Sequence, residues 1–255
     1  MGSLSAKVIL VDEAKRVLGQ AIALTGASSS KAAERTFAEA LSAAAARRED
    51  VAYIVSTGYG RDRIPFAHKR VTEITCHARG AVALFPATHT VIDIGGQDSK
   101  VIRVDPEGRV QSFQMNDKCA AGTGRFLEVM ARALEVELEE MGPLSLQSRN
   151  RVTVSSVCTV FAESEVVSLV ASGADRQDII RGIHGAIADR TRSLVGRVGI
   201  EPEITMTGGV AKNAGVVAEL SARLGQKLNL PEEPQTAGAL GAALIAREQA
   251  NSRVA

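Results

Sequence analysis

Two cysteines in the second half of the chain stand in short runs of small residues, each followed by a stretch with helical periodicity. Cys119 opens the run Cys119–Gly124, and Cys158 precedes an apolar run that Gly173 ends. We expect both cysteines at helix N-termini, where the positive end of the helix dipole lowers the pKa of a thiol and favours an anionic metal–sulfur group. The pattern therefore predicts metal–thiolate chemistry, although a lone cysteine is more often a small buried core residue.

The number of cysteines limits what such a site can be. A tetrahedral thiolate site or a four-cysteine cluster needs four ligands, and the chain has 3 cysteines in all. The third, Cys76, lies on a predicted amphipathic helix, and we assign it to the core. If Cys119 and Cys158 bind metal, the simplest arrangement is two chains that give two cysteines each across a symmetry axis.

A second group of residues could hold a polyphosphate. The apolar strand Val91–Ile94 carries Asp93 and runs into Gly95-Gly96, and a later strand ends in Thr207 before Gly208-Gly209. Such turns present backbone N–H groups to phosphate oxygens, because glycine has no Cβ to keep the backbone away. The carboxylate of Asp93 suits Mg²⁺, which retains much of its hydration shell. Neither a P-loop lysine motif nor a complete G-x-G-x-x-G occurs, which disfavours Walker-type NTPases and Rossmann dehydrogenases.

An internal repeat organises the chain around these turns. Residues 2–17 and 95–110 are identical at eight of sixteen positions when shifted by 93. The matches are Gly2/Gly95, Lys7/Lys100, Val8/Val101, Ile9/Ile102, Val11/Val104, Asp12/Asp105, Arg16/Arg109 and Val17/Val110. We interpret this as a duplicated subdomain, in which each copy opens with a strand, a Gly-rich turn and a β-hairpin. In the first copy, Ser3, Ser5 and Lys7 would add hydrogen-bond donors and a positive charge.

The repeat also indicates that one strand of the first copy is missing. Asp93, shifted back by 93, falls before Met1. We therefore expect the chain to begin within its first motif, without the first strand and its aspartate. A start codon assigned too far downstream or a shortened chain would explain this. In-frame codons for a strand that ends in aspartate are expected ahead of Met1.

The rest of the chain reads as alternating strands and helices. The expected strands are 7–11, 16–24, 51–56, 91–94, 203–207 and 227–230, and Asp105–Gly108 is the turn of the second hairpin. The expected helices are 31–47, 65–84, one to Leu138 stopped by Met141–Pro143, one to Val170, 176–198 and 235–250. We divide the chain into a first subdomain at 1–88 and a second at 89–255, whose last helix is a candidate to pack back on the first.

Composition argues against several functions. The net charge is +1 and aromatic residues are 3% of the 255 residues, so nothing favours nucleic acid as a partner. No apolar run approaches the ~20 residues of a membrane span and no signal peptide opens the chain, so no membrane partner is expected. An odd number of cysteines in a chain of this size argues against a disulfide framework and for a reducing cytoplasm.

Three motifs closely resemble one family. The segments Asp93–Lys100, Met115–Phe126 and Cys158–Glu165 are similar to segments of the activators of 2-hydroxyacyl-CoA dehydratases. The ATPase subunits of benzoyl-CoA reductase belong to the same family, of the BadF/BadG/BcrA/BcrD type. The resemblance covers essentially the whole chain. It implies an α/β protein with the actin-like (ribonuclease H-like) ATPase fold, two duplicated subdomains with the nucleotide in the cleft between them.

The same resemblance implies cofactors and site residues. It implies a homodimer, or a pair of related subunits, that holds one [4Fe–4S] cluster through Cys119 and Cys158 of each chain. It also implies ATP or ADP with Mg²⁺. The catalytic residues would be Asp93, Gln97 and Asp98. The nucleotide-binding residues would be Ser3, Leu4, Ser5, Ala6, Lys7, Gly95, Gly96, Gln97, Asp98, Gly122, Thr123, Gly124, Gly208, Gly209, Asn213 and Gln235. Without its first strand, the chain is expected to bind Mg·ATP poorly and to hydrolyse it slowly.

The mechanism that the resemblance implies is ATP-driven electron transfer. Ferredoxin or flavodoxin reduces the cluster, ATP binding closes the cleft and swings the cysteine-bearing helices, and hydrolysis drives one electron to a 2-hydroxyacyl-CoA dehydratase. An ATPase subunit of benzoyl-CoA reductase is the alternative, and the short chain favours the dehydratase activator. Two other classes stay open: a small-molecule (sugar) kinase of the same fold, which gives the cysteines no role, and a non-catalytic actin-like scaffold.

Overall fold

The computed structural model describes residues 1–150, 152–155 and 158–254. The chain forms two compact units. The first contains Met1–Thr88, Val104–Gln111 and Pro231–Ala255, and the second contains His89–Arg103 and Ser112–Leu230. The C-terminal helix therefore belongs to the same unit as the N-terminal hairpin.

Nine strands and eight α-helices alternate along the described part of the chain. The strands are β1 (Ser5–Val11), β2 (Val17–Leu24), β3 (Val55–Ser56), β4 (Lys69–Arg70), β5 (Thr90–Ile94), β6 (Ser99–Val104), β7 (Val110–Asn116), β8 (Ile204–Thr207) and β9 (Leu228–Asn229). The helices are α1 (Ser29–Ala43), α2 (Glu73–Leu84), α3 (Gly124–Ala133), α4 (Met141–Ser145), α5 (Thr159–Ala171), α6 (Arg176–Val198), α7 (Ala214–Leu224) and α8 (Ala237–Val254).

In the first unit, helices α2 and α8 approach each other at glycines. A Cβ on Gly80 would lie 1.9 Å from the carbonyl oxygen of Ala237, and one on Gly241 would lie 1.8 Å from that of Cys76. Both distances are far below van der Waals contact, so the two helices can pack this closely only because these positions lack a side chain. The pair brings α8 against the N-terminal hairpin, since α8 also contacts β1.

The second unit is built on a five-stranded sheet with the order β7-β6-β5-β8-β9. The central strand β5 pairs antiparallel with β6 and parallel with β8. All five residues of β5 are buried. The long helix α6 covers the core with the apolar face predicted from the sequence, whose members are Ile179, Ile180, Ile183, Ile187 and Leu194, each at most 7% exposed.

The internal repeat is present as two hairpins of the same design. β1 and β2 form one, and β6 and β7 are neighbours in the sheet of the second unit. In both copies an arginine N–H at the hairpin tip donates to an aspartate four residues earlier over 2.8 Å, from Arg16 to Asp12 and from Arg109 to Asp105. In both, a glycine N–H donates to a carbonyl three residues later, from Gly2 to Ser5 over 3.0 Å and from Gly95 to Asp98 over 2.9 Å. The duplication predicted from the sequence is confirmed.

Three helix predictions were wrong in extent. The helix expected over 31–47 is α1, which ends at Ala43. The helix expected over 65–84 begins only at Glu73, because Thr72 caps it: the Thr72 side chain accepts a hydrogen bond from the N–H of Thr75. The helix expected to reach Leu138 ends at Ala133, followed within two residues by Glu135 in the left-handed region (φ 53°).

The segment Met141–Pro143, expected to stop a helix, instead begins the short helix α4. Proline is tolerated in the first turn of a helix, because N–H groups there have no intrahelical partner. Two strand predictions were also too long: the strand expected over 51–56 is limited to β3, and that over 227–230 to β9. In the described part of the chain, no helix combines the length and the apolar character needed to cross a membrane.

The buried face of α6 gives a direct test of the core. Replacing Ile183, which is fully buried, with alanine removes buried methyl groups and leaves a cavity. We expect Ile183→Ala to lower the free energy of unfolding by ~2–5 kcal/mol in urea titrations. Ile200→Ala is the matched control, since Ile200 is 37% exposed, and we expect it to change stability by ~0.5 kcal/mol. Equal effects of the two substitutions would contradict the assigned core.

Candidate functional site

Asp93 is the buried, next-to-last residue of β5, the central strand of the second unit. It is 2% exposed, and the sheet register puts it opposite Lys100 of β6 and Thr207 of β8. The hydroxyl of Thr207 donates to Asp93 Oδ1 over 2.8 Å, and Lys100 Nζ lies 3.1 Å from Oδ2. A buried carboxylate is tolerated only when it is paired and hydrogen-bonded, and both conditions hold here.

The turn that follows Asp93 is held by the same lysine. Lys100 is 3% exposed, and its Nζ also lies 2.8 Å from Oδ2 of Asp98. The turn is closed by the Gly95 N–H, which donates to the carbonyl oxygen of Asp98 over 2.9 Å. Lys100 was not among the site residues predicted from the sequence. Its match to Lys7 in the repeat was the signal that could have identified it.

Gly208 brings a second turn against the first. Its φ is 88°, and a Cβ there would lie 2.3 Å from the carbonyl oxygen of Ile94 and 2.9 Å from Asp93 Oδ1. Only glycine fits a left-handed conformation with backbone this close. The chain then makes a 3₁₀ turn at Gly209–Lys212 and reaches Asn213. Gly208 therefore lies beside the end of β5, and the predicted roles of Gly208 and Gly209 in binding nucleotide stay predictions.

The start of α3 is bonded to the glycine turn. The N–H of Gly124 donates to the carbonyl of Gly95 over 2.9 Å, and the N–H of Arg125 donates to that of Gly96 over 2.8 Å. A Cβ on Gly124 would lie 3.3 Å from the Gly95 oxygen and from Gly96 Cα, so the helix and the turn are in close contact. Both amides are used within the protein, and this limits the role predicted for Gly124 as a direct phosphate contact.

Cys119 is tied to the same helix start. The hydroxyl of Thr123, the N-cap residue of α3, donates to the carbonyl of Ala120 over 2.6 Å. The side-chain amide of Asn116 donates to the carbonyl of Cys119 over 2.8 Å. Cys119 itself is half-buried and stands five residues ahead of Gly124. It therefore lies in a bonded turn of small residues just before the helix, as predicted from the sequence.

Cys158 is the N-cap residue of α5 and is exposed, so the predicted helix start is confirmed for this cysteine. α5 packs on α3 through Ala162 and Val166, which share one core cluster with Phe126 and Met130. The two cysteine-bearing segments are thus joined through packed helices.

The thiols can be compared with the needs of a metal group. Within the described residues, no three or more His, Cys, Asp or Glu side chains are grouped to hold a metal ion. Cys119 and Cys158 are the right donor type for a metal–sulfur cluster and are two short of the number it needs. Cys76 differs from both, because it is fully buried and burial raises the pKa of its thiol to about 11. Its assignment to the core is confirmed.

Asn213 is held by a buried polar network. Its side-chain oxygen caps α7 by accepting from the N–H groups of Gly215 and Val216 over 3.0 and 3.1 Å. Its amide nitrogen lies 3.3 Å from Nε2 of His184, whose Nδ1 lies 3.0 Å from Ser145 Oγ. Ser145 Oγ donates to a carbonyl, so the imidazole is a neutral ring with its proton on Nδ1. Burial lowers the pKa of His184 to about 4, which keeps it in that state.

The remaining predicted residues fall in two places. In the first unit, Ser3 and Leu4 precede β1, Ser5 and Ala6 begin it, and the Nζ of Lys7 lies 3.4 Å from the Ser5 carbonyl. Gln235, also in the first unit, lies in the 3₁₀ turn before α8. In the second unit Gln97 is exposed on the turn, and Gly122 has a left-handed φ of 85°. The roles of these residues in binding nucleotide stay predictions.

Comparisons with known proteins agree with this arrangement. Residues 1–246 match the BadF/BadG/BcrA/BcrD ATPase family. The chain is 47% identical to the "Activator of lactoyl-CoA dehydratase" of Anaerotignum propionicum over 99% of its own length and 97% of that protein. It is 37% identical to a benzoyl-CoA reductase component of Thauera aromatica over 84% of its own length and 78% of that protein. The crystal structure of the "Activator of the 2-Hydroxyisocaproyl-CoA Dehydratase from Clostridium difficile with bound ADPNP" superposes with a TM-score of 0.94 at 42% identity, covering 100% of this chain and 94% of that one.

The neutral state of His184 predicts a pH dependence of stability. Its pKa in the folded protein, about 4, lies below the ordinary value of 6.5, so the unfolded chain binds the proton more tightly. The contribution of neutral His184 to the free energy of unfolding is therefore complete above pH 6.5 and is lost as the pH falls from 6.5 towards 4. We expect a loss of ~2 kcal/mol between pH 7 and pH 5 from this group. Urea unfolding at several pH values measures it, and His184→Gln should flatten this part of the profile. If the free energy of unfolding of the His184→Gln variant depended on pH as steeply as that of the wild type, the assignment of His184 as a buried neutral imidazole would be refuted.

Proposed function

Because the chain belongs to the BadF/BadG/BcrA/BcrD ATPase family, we propose that it is the activator of a 2-hydroxyacyl-CoA dehydratase. In this function it uses ATP to deliver one low-potential electron, received from ferredoxin or flavodoxin, to the dehydratase. The chain has the actin-like ATPase fold of its relatives. The support for this partner is the 47% identity over nearly the full length of both chains with an activator of lactoyl-CoA dehydratase.

The observation that carries the proposal is the bonding between the glycine turn and the cysteine segment. Gly124 and Arg125 donate to Gly95 and Gly96, and the same helix start is bonded back towards Cys119. A nucleotide that contacts the Gly95-Gly96 turn differently as ATP and as ADP can bias the position of α3, because a shift of the turn would break buried hydrogen bonds. The thiol of Cys119 would then respond to the state of the nucleotide.

The residues of the second unit have separable roles in hydrolysis. Asp93 would hold Mg²⁺ through a coordinated water, oriented by the hydroxyl of Thr207. Asp98 and Gln97 stand on the turn beside it and would position the attacking water. Gly208 keeps the second turn free of a side chain, so that its backbone can approach a phosphate. Ser3–Lys7 and Gln235 of the first unit are proposed as further nucleotide contacts.

Cys119 and Cys158 would hold half of a [4Fe–4S] cluster, and the same two residues of a second copy would complete it. Such a cluster, when bound, supplies a one-electron redox group of low potential. An exposed apolar surface next to Cys158 supports pairing of two chains. On α5, Val160 and Phe161 are 68% and 69% exposed and Val167 is 53% exposed. Large apolar side chains exposed together favour a covered interface.

Two alternatives are less well supported. An ATPase subunit of benzoyl-CoA reductase shares the family, but the relative from that enzyme is 37% identical and is matched over 78% of its length. A sugar kinase of the same fold would give neither Cys119 nor Cys158 a role. Phosphorylation of a sugar in the absence of an electron donor would favour the kinase.

Iron content tests the cluster. Anaerobically purified or reconstituted protein should contain about four iron atoms per two chains and sediment as a dimer. We expect Cys119→Ser and Cys158→Ser each to remove most of the iron, because the remaining ligands cannot complete the cluster. Cys76→Ser is the control, since Cys76 is buried in the first unit, and it should keep the iron. Iron-free wild-type protein after reconstitution, or iron retained in both cysteine variants, would contradict the proposal.

Phosphate release tests the role of Asp93. Asp93→Asn removes the charge that would orient the hydrated Mg²⁺, and we expect ATP hydrolysis to fall by roughly 10–100-fold with little change in iron content. Asp175→Asn serves as the control, because Asp175 is exposed and its side chain makes no capping bond to α6. Circular dichroism checks that both variants are folded. Equal ATPase rates in the two variants would exclude Asp93 from the reaction.

A further inference from the structure

The chain that leads into Cys158 is fastened to α6 by one buried carboxylate. We call its described residues, 148–150 and 152–155, the approach segment. Asp178, in the first turn of α6, is 4% exposed. Its Oδ1 accepts from the hydroxyl of Ser148 over 2.8 Å. The same oxygen accepts from the backbone N–H groups of Arg149 and Asn150 over 2.9 and 3.0 Å, and Oδ2 accepts from the Asn150 side-chain amide over 3.1 Å.

These four hydrogen bonds keep the carboxylate charged. They lower the pKa of Asp178 to about 2, and the bond from the backbone N–H of Asn150 has the largest effect. Hydrogen bonds to an ionised acceptor are shorter and stronger than those between neutral groups. The first part of the approach segment is therefore held firmly against the start of α6.

One helical turn further on, the approach segment crosses α6 at a glycine. A Cβ on Gly182 would lie 2.6 Å from the carbonyl oxygen of Val152 and 3.4 Å from a methyl carbon of Val154. The first distance is far below van der Waals contact, so the backbone can lie this close only because position 182 lacks a side chain. Val154 is 6% exposed and shares a core cluster with Ile183 of α6.

A second carboxylate ties the approach segment to α5 itself. Glu165 Oε1 accepts from the backbone N–H and from the hydroxyl of Ser155, each over 2.9 Å. Glu165 follows Cys158 by seven residues, about two turns of an α-helix, so both lie on the same side of α5. Ser155 precedes Cys158 by three residues. The two bonds therefore join the chain just ahead of Cys158 to the helix that Cys158 begins.

The direction of the Cys158 side chain depends on this approach. Cys158 is the N-cap residue of α5, its backbone is extended (φ −91°, ψ 135°), and its side chain makes no capping hydrogen bond. The thiol is exposed. An N-cap residue is only half within the helix, so the chain that enters the helix sets its orientation. That entry is set here by the contacts of Asp178, Gly182 and Glu165.

We propose that Asp178 and Glu165 are positioning residues for the thiol of Cys158, and that Gly182 serves the same purpose by leaving room for the approach segment. The inference rests on the proposed function, in which Cys158 is a cluster ligand. A ligand held in place before metal binds avoids the loss of conformational entropy that ordering a loose segment would cause. Asp178 and Glu165 act through the backbone of the approach segment.

A nitroxide label on Cys158 tests the positioning without metal. The background is Cys76→Ser with Cys119→Ser, in which Cys158 is the one remaining cysteine. Glu165→Ala and Asp178→Ala should each make the label more mobile and narrow the central line of its electron paramagnetic resonance spectrum. Glu165→Gln keeps an oxygen that can accept from Ser155, so it should restore the wild-type line. Glu163→Ala, at an exposed position on the same helix, is the control.

Release of iron tests the consequence for the cluster. In reconstituted protein with all three cysteines, Glu165→Ala and Asp178→Ala should lose iron to a chelator such as bathophenanthroline roughly 10–100-fold faster than wild type. Glu165→Gln and Glu163→Ala should release it at the wild-type rate. Ser155→Ala changes an exposed residue and removes one of the two bonds to Glu165. It should act in the same direction with a smaller effect, even if Asp178→Ala fails to fold.

Two glycines of α6 provide a matched pair. Gly182→Ala should mobilise the label and speed iron release as the carboxylate variants do, because its methyl group would collide with the approach segment. Gly196→Ala makes the same change in the same helix, where a Cβ would meet nothing within 4 Å. It should leave both measurements unchanged. Equal behaviour of the two glycine variants would contradict the role of Gly182.

The two measurements separate this inference from the proposed function. Wild-type protein that takes up no iron would refute the proposed cluster, and the label would still decide whether these residues hold Cys158. Wild-type mobility of the label in both Glu165→Ala and Asp178→Ala would overturn the inference. Iron release in those two variants as slow as in Glu163→Ala would overturn it as well.

Discussion

Two hydrogen bonds join the Gly95-Gly96 turn to the start of α3, and they couple the central strand of the second unit to this helix. The turn Gly95-Gly96 continues the buried central strand, and its carbonyls accept from the first amides of α3. The strand cannot move without disrupting the sheet, and α3 cannot move without disturbing Phe126 and Met130, which are at most 1% exposed in the core. Close-packed interiors adopt discrete arrangements and resist continuous deformation. Any displacement of the turn is therefore passed to the helix as a whole.

That constraint also explains why the two cysteines are not equivalent. Cys119 is half-buried in a turn that Thr123 bonds to the start of α3 and that Asn116 bonds to the end of β7, so its position is tied to both elements. Cys158 is exposed at the start of α5, and α5 is connected to α3 by helix packing. A group bound to both thiols would therefore have one ligand, Cys119, that is closely coupled to α3 and one, Cys158, that is coupled to it more weakly. Another protein surface would have to cover Val160 and Phe161 to keep water away from such a group.

The sequence predicted those features that depend on local pattern. The period of the isoleucines identified α6 with its correct ends, and the identities shifted by 93 identified two hairpins that share their tip and turn bonds. It did not predict the double pairing of Lys100 or the contact of Gly208 with Ile94, because both join residues from separate strands. The early end of α3 was not predicted for a different reason. Glu135 adopts a left-handed conformation, and a glutamate gives no signal for this conformation in the sequence.

The two copies of the repeat also differ in charge around their shared lysine. Around Lys100 stand the carboxylates of Asp93 and Asp98, so the second copy carries a net negative charge. In the first copy the position of Asp98 is taken by Ser5, whose carbonyl lies 3.4 Å from Lys7 Nζ. A turn with two carboxylates attracts a hydrated cation, while a turn with a lysine and serine hydroxyls attracts phosphate oxygens. The duplication thus supplied one backbone design, and the two copies differ in charge at a single turn position, where Asp98 of the second corresponds to Ser5 of the first.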